Sequence, residues 1–147
     1  MFFIILACIL LLDQATKYLA YIYLQPQSTI PVINNFFYLT YLENKGAAFG
    51  IIQNSIWLLI VVTLIIVIFA GFYIYKNPRI AVLSRYSIAL IIAGAVGNLI
   101  DRVRNGYVID FFDFVIWPIF NIADMSVVIG AFILIFILLF DKQKIKH

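Results

Sequence analysis

The chain reads as an all-α integral membrane protein: four transmembrane helices with a small extracytoplasmic β-like surface element. Three observations predict this. Of its 147 residues, 65% are hydrophobic and 12% charged, whereas a soluble domain carries roughly 25% charged residues; the mean hydropathy is +1.09. Four stretches reach the roughly 20 apolar residues that a helix needs to cross the hydrocarbon layer, and they lack the period-2 alternation of a membrane barrel. The ionisable residues gather mostly near the ends of those stretches. A length of 147 residues suits one domain, so a single membrane-embedded unit over 1–147 is expected.

The first span, about 1–24, is interrupted by Asp13 and Lys17. It differs from a cleaved secretory signal because no basic residue precedes the apolar run and no small-x-small site precedes Asp13. It is therefore expected to stay as a helix. The second span, about 55–75, has no charge before Lys76. The third, about 81–101, carries Arg85 near its start and Asp101 at its end. The fourth, about 121–140, holds Asp124 in its first turn and no further charge until Asp141. Between the first two spans, "FFYLTYLE" is aromatic and partly alternating, which predicts a short strand, and "NKG" predicts a turn. A small sheet on the membrane surface, with aromatic rings at headgroup level, fits this composition.

Lysines and arginines in short loops mark the cytoplasmic side. Lys76, Arg79 and Arg85 lie between spans two and three, and Lys142, Lys144 and Lys146 in the tail. Four spans put both groups on one side with the N-terminus, so both termini are expected in the cytoplasm. Arg102 and Arg104 count against this, but lie among Asp101, Asp110 and Asp113. The loops 25–54 and 101–120 then face outward. A diffuse net charge of +3 gives no nucleic-acid footprint. The lone Cys8 and the lone tail residue His147 offer neither a disulfide, nor a zinc site, nor a Cys–His or Ser–His–Asp arrangement; no metal or cofactor is expected.

Ionisable groups within spans are costly and usually face the protein interior. Asp13 and Lys17, four apart, share a helix face and can pair. "GNLIDRVRNGYVIDFFDF" and "FNIAD" bring Asn98, Asp101, Arg102, Asp110, Asn121 and Asp124 to the outer ends of spans three and four. Each has a plain structural reading. The Asp13–Lys17 pair can hold the bundle together, and Asp101 can bridge to Arg102. Asp113 can face water. The asparagines can serve turns or interhelical bonds, and Gly94, Ala95 and Gly97 can allow close helix packing. Asp124, from spacing alone, reads best as a residue complementing the start of its helix. Taken together they make a polar pocket in an apolar wall. Two carboxylates sharing a site cannot easily both ionise. The charged one can accept a proton from water while the neutral one donates to a carbonyl oxygen. The competing uses of the same pocket are a proton or cation path and, third, a non-catalytic assembly factor with structural ion pairs.

"DQATK", "NKGAAFG", "GNLIDRV", "VIDFFDF" and "FNIAD", in that order along nearly the whole chain, resemble the motifs of bacterial lipoprotein signal peptidase, the type II signal peptidase. The resemblance implies an aspartyl endopeptidase that cleaves prolipoproteins just before a diacylglyceryl-modified cysteine. It implies a catalytic dyad of Asp110 and Asp124, placed where a lipid-anchored substrate arrives sideways from the bilayer. It further implies supporting or substrate-binding roles for Asp13, Lys17, Asn44, Asn98, Asp101, Arg102 and Asn121. Of these, Asn98 and Asn121 orient the dyad or the substrate backbone, Arg102 positions substrate or pairs with Asp101, and Asn44 lies over the cleft. The implied partners are prolipoprotein substrates and membrane lipid, with the protein acting as a monomer. One departure is visible: "FFDFVIWPIF", between the two dyad positions, is shorter than in many relatives.

Overall fold

A computed structural model describes residues 1–46 and 56–140; "AAFG" of the NKGAAFG motif and the lysines of the tail lie outside the described residues. Four helices, α1 (Phe2–Tyr23), α2 (Ile56–Lys76), α3 (Val82–Asn105) and α4 (Ile122–Phe140), are each long and apolar enough to cross a membrane. Three strands, β1 (Thr29–Ile33), β2 (Phe37–Asn44) and β3 (Val108–Asp113), form an antiparallel sheet in the order β1-β2-β3.

Helix α3 is the axis of the bundle. Half of its most apolar 18-residue window is buried, against 6% for α2, and it touches all three other helices. Its buried positions include Ser84, Ser87, Ile88, Gly94, Gly97, Asn98 and Asp101, a helical stripe made largely of small and polar residues. Lipid tails are as apolar as leucine, so helices in a membrane associate through close backbone approach and interhelical hydrogen bonds. The glycines permit that approach. A Cβ on Gly94 would collide with the carbonyl of Ala123 in α4, and one on Gly130 would lie 2.6 Å from the carbonyl of Ser87. The large apolar side chains point the other way, outward, as bilayer solvation requires.

The predicted third span ends near Asp101, but α3 continues to Asn105 and stops at Gly106, whose φ of 79° and N–H bond to the Arg102 carbonyl make a left-handed cap. The helix therefore stands one turn proud of its apolar stretch. β2 covers the predicted "FFYLTYLE" segment almost fully. β3 was not predicted: Val108 to Phe111 are buried on both faces, so the alternation that marks a half-exposed strand is missing. Ile109 and Phe111 pack on Ala20 and Leu24 at the end of α1, while Val108 and Asp110 face the opposite side. After β3 the chain turns back, and Phe120 pairs with Phe112 (Phe120 N–H to Phe112 O, 3.1 Å). That bridge delivers Asn121 and the first turn of α4 alongside Asp110.

Candidate active site

The polar residues form two connected groups at the sheet end of the bundle. In the first, the Lys17 ammonium lies 2.9 Å from Asp13 and 3.1 Å from Asp101, and donates to Asn98 Oδ1 at 2.9 Å. Its three N–H bonds thus meet three acceptors. The i,i+4 pairing of Asp13 and Lys17 is as expected; the third member comes from α3. Asp13 also accepts the backbone N–H of Ala123 at 2.9 Å, satisfying one of the free donors at the start of α4. Gln14 donates to Asp13 and Asp101 at 3.1 and 3.2 Å. Sequence reasoning passed over Gln14, although its place beside Asp13 in "DQATK" was a signal. Gly97 makes room for the group, since a Cβ there would lie 2.5 Å from Asp13 Oδ2.

One reading had Asp101 bridge to Arg102, and it does not. Its Oδ2 faces Lys17 and accepts the N–H of Ile109 at 3.2 Å. Successive helical residues point about 100° apart, so with Asp101 turned inward Arg102 is directed elsewhere. It lines a cavity of about 660 Å³ together with Asn44, Leu59, Trp117, Phe120 and Asp124. The Arg102 Nε hydrogen has no acceptor among the described residues. Asp113, expected to face water, is half-buried and accepts from Thr40 Oγ1 at 2.9 Å and the Val115 N–H at 3.0 Å.

The second group centres on Asp110 and Asp124. Asp110 is 1% exposed. Asn44 donates to its Oδ2 at 2.8 Å and Asn121 to its Oδ1 at 2.6 Å. The β2–β3 register explains the first bond: Leu42 pairs with Asp110 and Asn44 with Val108, so Asn44 and Asp110 are diagonal neighbours on one face. Asn44 also accepts the Gly46 N–H at 2.9 Å in the predicted turn. Asp124 receives Asn98 Nδ2 on Oδ1 at 2.7 Å and the Asn121 N–H on Oδ2 at 3.3 Å. In return Asn121 Oδ1 accepts the Asp124 N–H at 2.9 Å. This reciprocal arrangement is a capping box in form. The capping expectation for Asp124 therefore holds, with Asn121 as the cap, and Asp124 meanwhile borders the cavity.

Lys17 determines which way the amides face. An ammonium only donates, so the oxygen of Asn98 must turn to Lys17 and its nitrogen to Asp124. Asn121 Nδ2 also donates to Asn98 Oδ1, at 3.1 Å, besides donating to Asp110. Both carboxylates are therefore met by neutral donors, and among the described residues neither forms an ion pair. Burial pushes the Asp110 carboxyl up to about 7, with the charge of Asp124 adding to the rise and the bonds from Asn44 and Asn121 and the charge of Lys17 opposing it. A carboxyl in that range exchanges its proton near neutrality. All nine residues singled out in the sequence thus fall in this connected region.

The family model of Signal peptidase (SPase) II matches residues 5–140. A lipoprotein signal peptidase of Caldanaerobacter subterraneus subsp. tengcongensis is 49% identical over 138 residues, covering 93% of this chain and 94% of that protein. One from Clostridioides difficile is 47% identical over 147 residues, covering 98% and 99%. A solved bacterial membrane enzyme superposes with a TM-score of 0.90 at 35% identity, covering 99% of this chain and 92% of its own. Matches of this length and identity decide what the carboxylates alone left open between peptidase, transporter and assembly factor: the chain belongs to the signal peptidase II family of membrane peptidases.

Proposed function

We propose that this protein removes signal peptides from prolipoproteins by cutting before a diacylglyceryl-modified cysteine, with Asp110 and Asp124 as the catalytic pair. The observation that carries the reading is the second polar group: two carboxylates held by amide donors, sharing Asn121, beside a cavity at the ends of apolar spans. The pair holds one proton between its two members. The ionised carboxylate takes a proton from a water molecule as its oxygen attacks the scissile carbonyl carbon, while the protonated one donates to the carbonyl oxygen. The tetrahedral intermediate then collapses as a proton passes to the leaving nitrogen and the C–N bond breaks. Asn98 and Asn121 hold Asp124, which borders the cavity, and Asn44 and Asn121 hold Asp110 beside the shared Asn121. Arg102, on the cavity wall with Nε free of acceptors among the described residues, binds substrate carbonyl oxygens.

A second hollow of about 340 Å³ begins at Asp124 and runs along α4 between Trp117, Phe120, Met125, Val128 and Ile129. Its apolar lining suits an acyl chain of the modified cysteine. The site lies outside the cytoplasm and both termini inside, because Lys76, Arg79 and Arg85 sit near the opposite ends of α2 and α3 from the sheet. The test is the purified protein with a lipidated prolipoprotein peptide. A single cut before the modified cysteine is expected, lost in Asp110→Asn and in Asp124→Asn. Cleavage elsewhere, or near-normal turnover by either variant, overturns the assignment.

A further inference from the structure

The segment joining β3 to α4 has a packed aromatic stem and an apolar tip that none of the described residues covers. At the stem, the Phe114 ring stacks on Phe37 at 4.6 Å and on Phe120 at 5.9 Å, and meets Phe36 edge-on at 5.8 Å. Beyond it, Val115 is 58% exposed, Ile116 90% and Trp117 66%. Val115 takes a φ of 57°, a left-handed conformation that β-branched residues rarely adopt. The Val115 N–H bond to Asp113 Oδ1 at 3.0 Å and the Ile116 N–H bond to Phe114 O at 2.5 Å close the turn that imposes it. A strained turn that drives isoleucine and tryptophan away from the protein would be costly in water.

The tip's depth follows from what Trp117 shares a wall with. Trp117 and Phe120 line one apolar hollow with Met125, Val128 and Ile129. Ile129 lies seven residues beyond Ile122, the start of α4, or about 10 Å down the helix at 1.5 Å per residue. The hollow that the indole borders therefore extends down beside the span. The exposed surface runs on from there to Val128, Ile129 and Phe132 on the outward face of α4, which meets acyl chains if α4 crosses the bilayer. Tryptophan is enriched at this level of a membrane, where an amphipathic ring is solvated at both ends.

We propose that the Val115–Ile116–Trp117 tip is a membrane anchor, inserted among the acyl chains of the leaflet on the side of the sheet. The same segment supplies Trp117, Pro118, Ile119 and Phe120 to the wall of the 660 Å³ cavity, so the anchor ties that wall to the lipid. The inference depends on the spans and the loop, and stands whether or not the dyad is catalytic.

The chain has two tryptophans. In Trp57→Phe, Trp117 is the only one left. Reconstituted into phosphatidylcholine vesicles, this variant should lose at least half its emission when the lipid is brominated in the upper acyl chain. Aqueous iodide should quench it only slightly. Adding Ile116→Ser should at least halve the bromolipid quenching and shift emission to the red, with helical content by circular dichroism unchanged. Iodide quenching equal to or above that of the bromolipid would put the tip in water and overturn the proposal. Shielding from both quenchers would mean that protein, such as a second copy, covers it, and would overturn the proposal equally. Retention of full bromolipid quenching in the serine variant would do the same.

Discussion

Two acid pairs sit side by side at one end of the bundle and meet opposite fates. Asp13 and Asp101 share an ammonium, Lys17, and pass their remaining bonding capacity to Gln14 and to two backbone N–H groups. Asp110 and Asp124 have no ion pair among the described residues and are held by three asparagines. Both arrangements satisfy buried oxygens, but only the first supplies a full opposite charge. A carboxylate matched by a cation here serves as a structural clip between α1, α3 and α4. Asp110, held by neutral amides in a desolvated place, keeps a proton within reach. Asn98 joins the two, taking its orientation from Lys17 and presenting its donor to Asp124. Through Asn98 the ion group thus sets which donor meets Asp124.

The largest expected difference between the pairs is in chemistry. Asp110→Asn and Asp124→Asn should each lower cleavage by about 10²–10⁴-fold or more while the protein stays folded in detergent. Because the two act as a unit, the double variant should be hardly worse than either single one. Rate assays on the three proteins, beside melting curves, check this; a double variant far below both singles would break the pairing.

Lys17→Met addresses the other pair. It leaves Asp13 and Asp101 without their cation, and removing one partner of a buried ion pair costs about 3–5 kcal/mol. Activity should fall together with the melting temperature. If Lys17→Met is inactive yet as stable as the parent, the ion group belongs to the chemistry and the contrast drawn above fails.

Proton linkage distinguishes them again. The Asp110 carboxyl is raised from 3.8 to about 7 in the fold, so between those values the folded state holds a proton that the unfolded state has released. Its contribution therefore weakens stability as pH rises from about 4 to about 7, by at most about 4 kcal/mol. Asp110→Asn should flatten that slope and raise the melting temperature at pH 8 relative to the parent. An unchanged slope in parallel melts at pH 5 and pH 8 would mean that Asp110 does not carry the proton.

The contrast between the pairs was only partly legible in the sequence. Asp13 and Lys17 announce themselves, because four residues on a helix make neighbours. Asp101 joins them across the α1–α3 interface, and no local pattern encodes that. The bond from Asn44 to Asp110 depends on the β2–β3 register, and β3 itself was hidden: buried on both faces, Val108 to Phe111 lack alternation. The spans were legible for the opposite reason, since lipid demands an unbroken apolar run whatever the packing. Asp110 and Asp124 emerged as a pair through the resemblance to a known family, while spacing alone made Asp124 a helix-capping residue. It is that residue too, and a local rule could not see that it also borders the cavity. Of the two readings of Arg102, positioning substrate or pairing with Asp101, only the pairing fails, because adjacency in sequence is not adjacency in space on a helix.

The smallest predicted effects come from glycines, and they ask how tightly the ion group sets the start of α4. A Cβ on Gly97 would lie 2.5 Å from Asp13 Oδ2 and 3.3 Å from the Ala123 side chain. Asp13 must then shift, and with it the acceptor that holds the Ala123 N–H, one residue before Asp124. Gly97→Ala should destabilise by about 1–3 kcal/mol, as overpacking does, and should lower turnover more than the same loss of stability placed elsewhere. Gly71 in α2 is the control, since a Cβ there meets nothing within 4 Å. Gly71→Ala should be neutral or up to about 1 kcal/mol stabilising through helix propensity, with turnover unchanged. Melting temperature and cleavage rate measured on both variants give the answer. If Gly97→Ala melts lower but cuts at the parental rate, Asp13 anchors α4 without positioning Asp124, and the two acid pairs are energetically separate despite the asparagine between them.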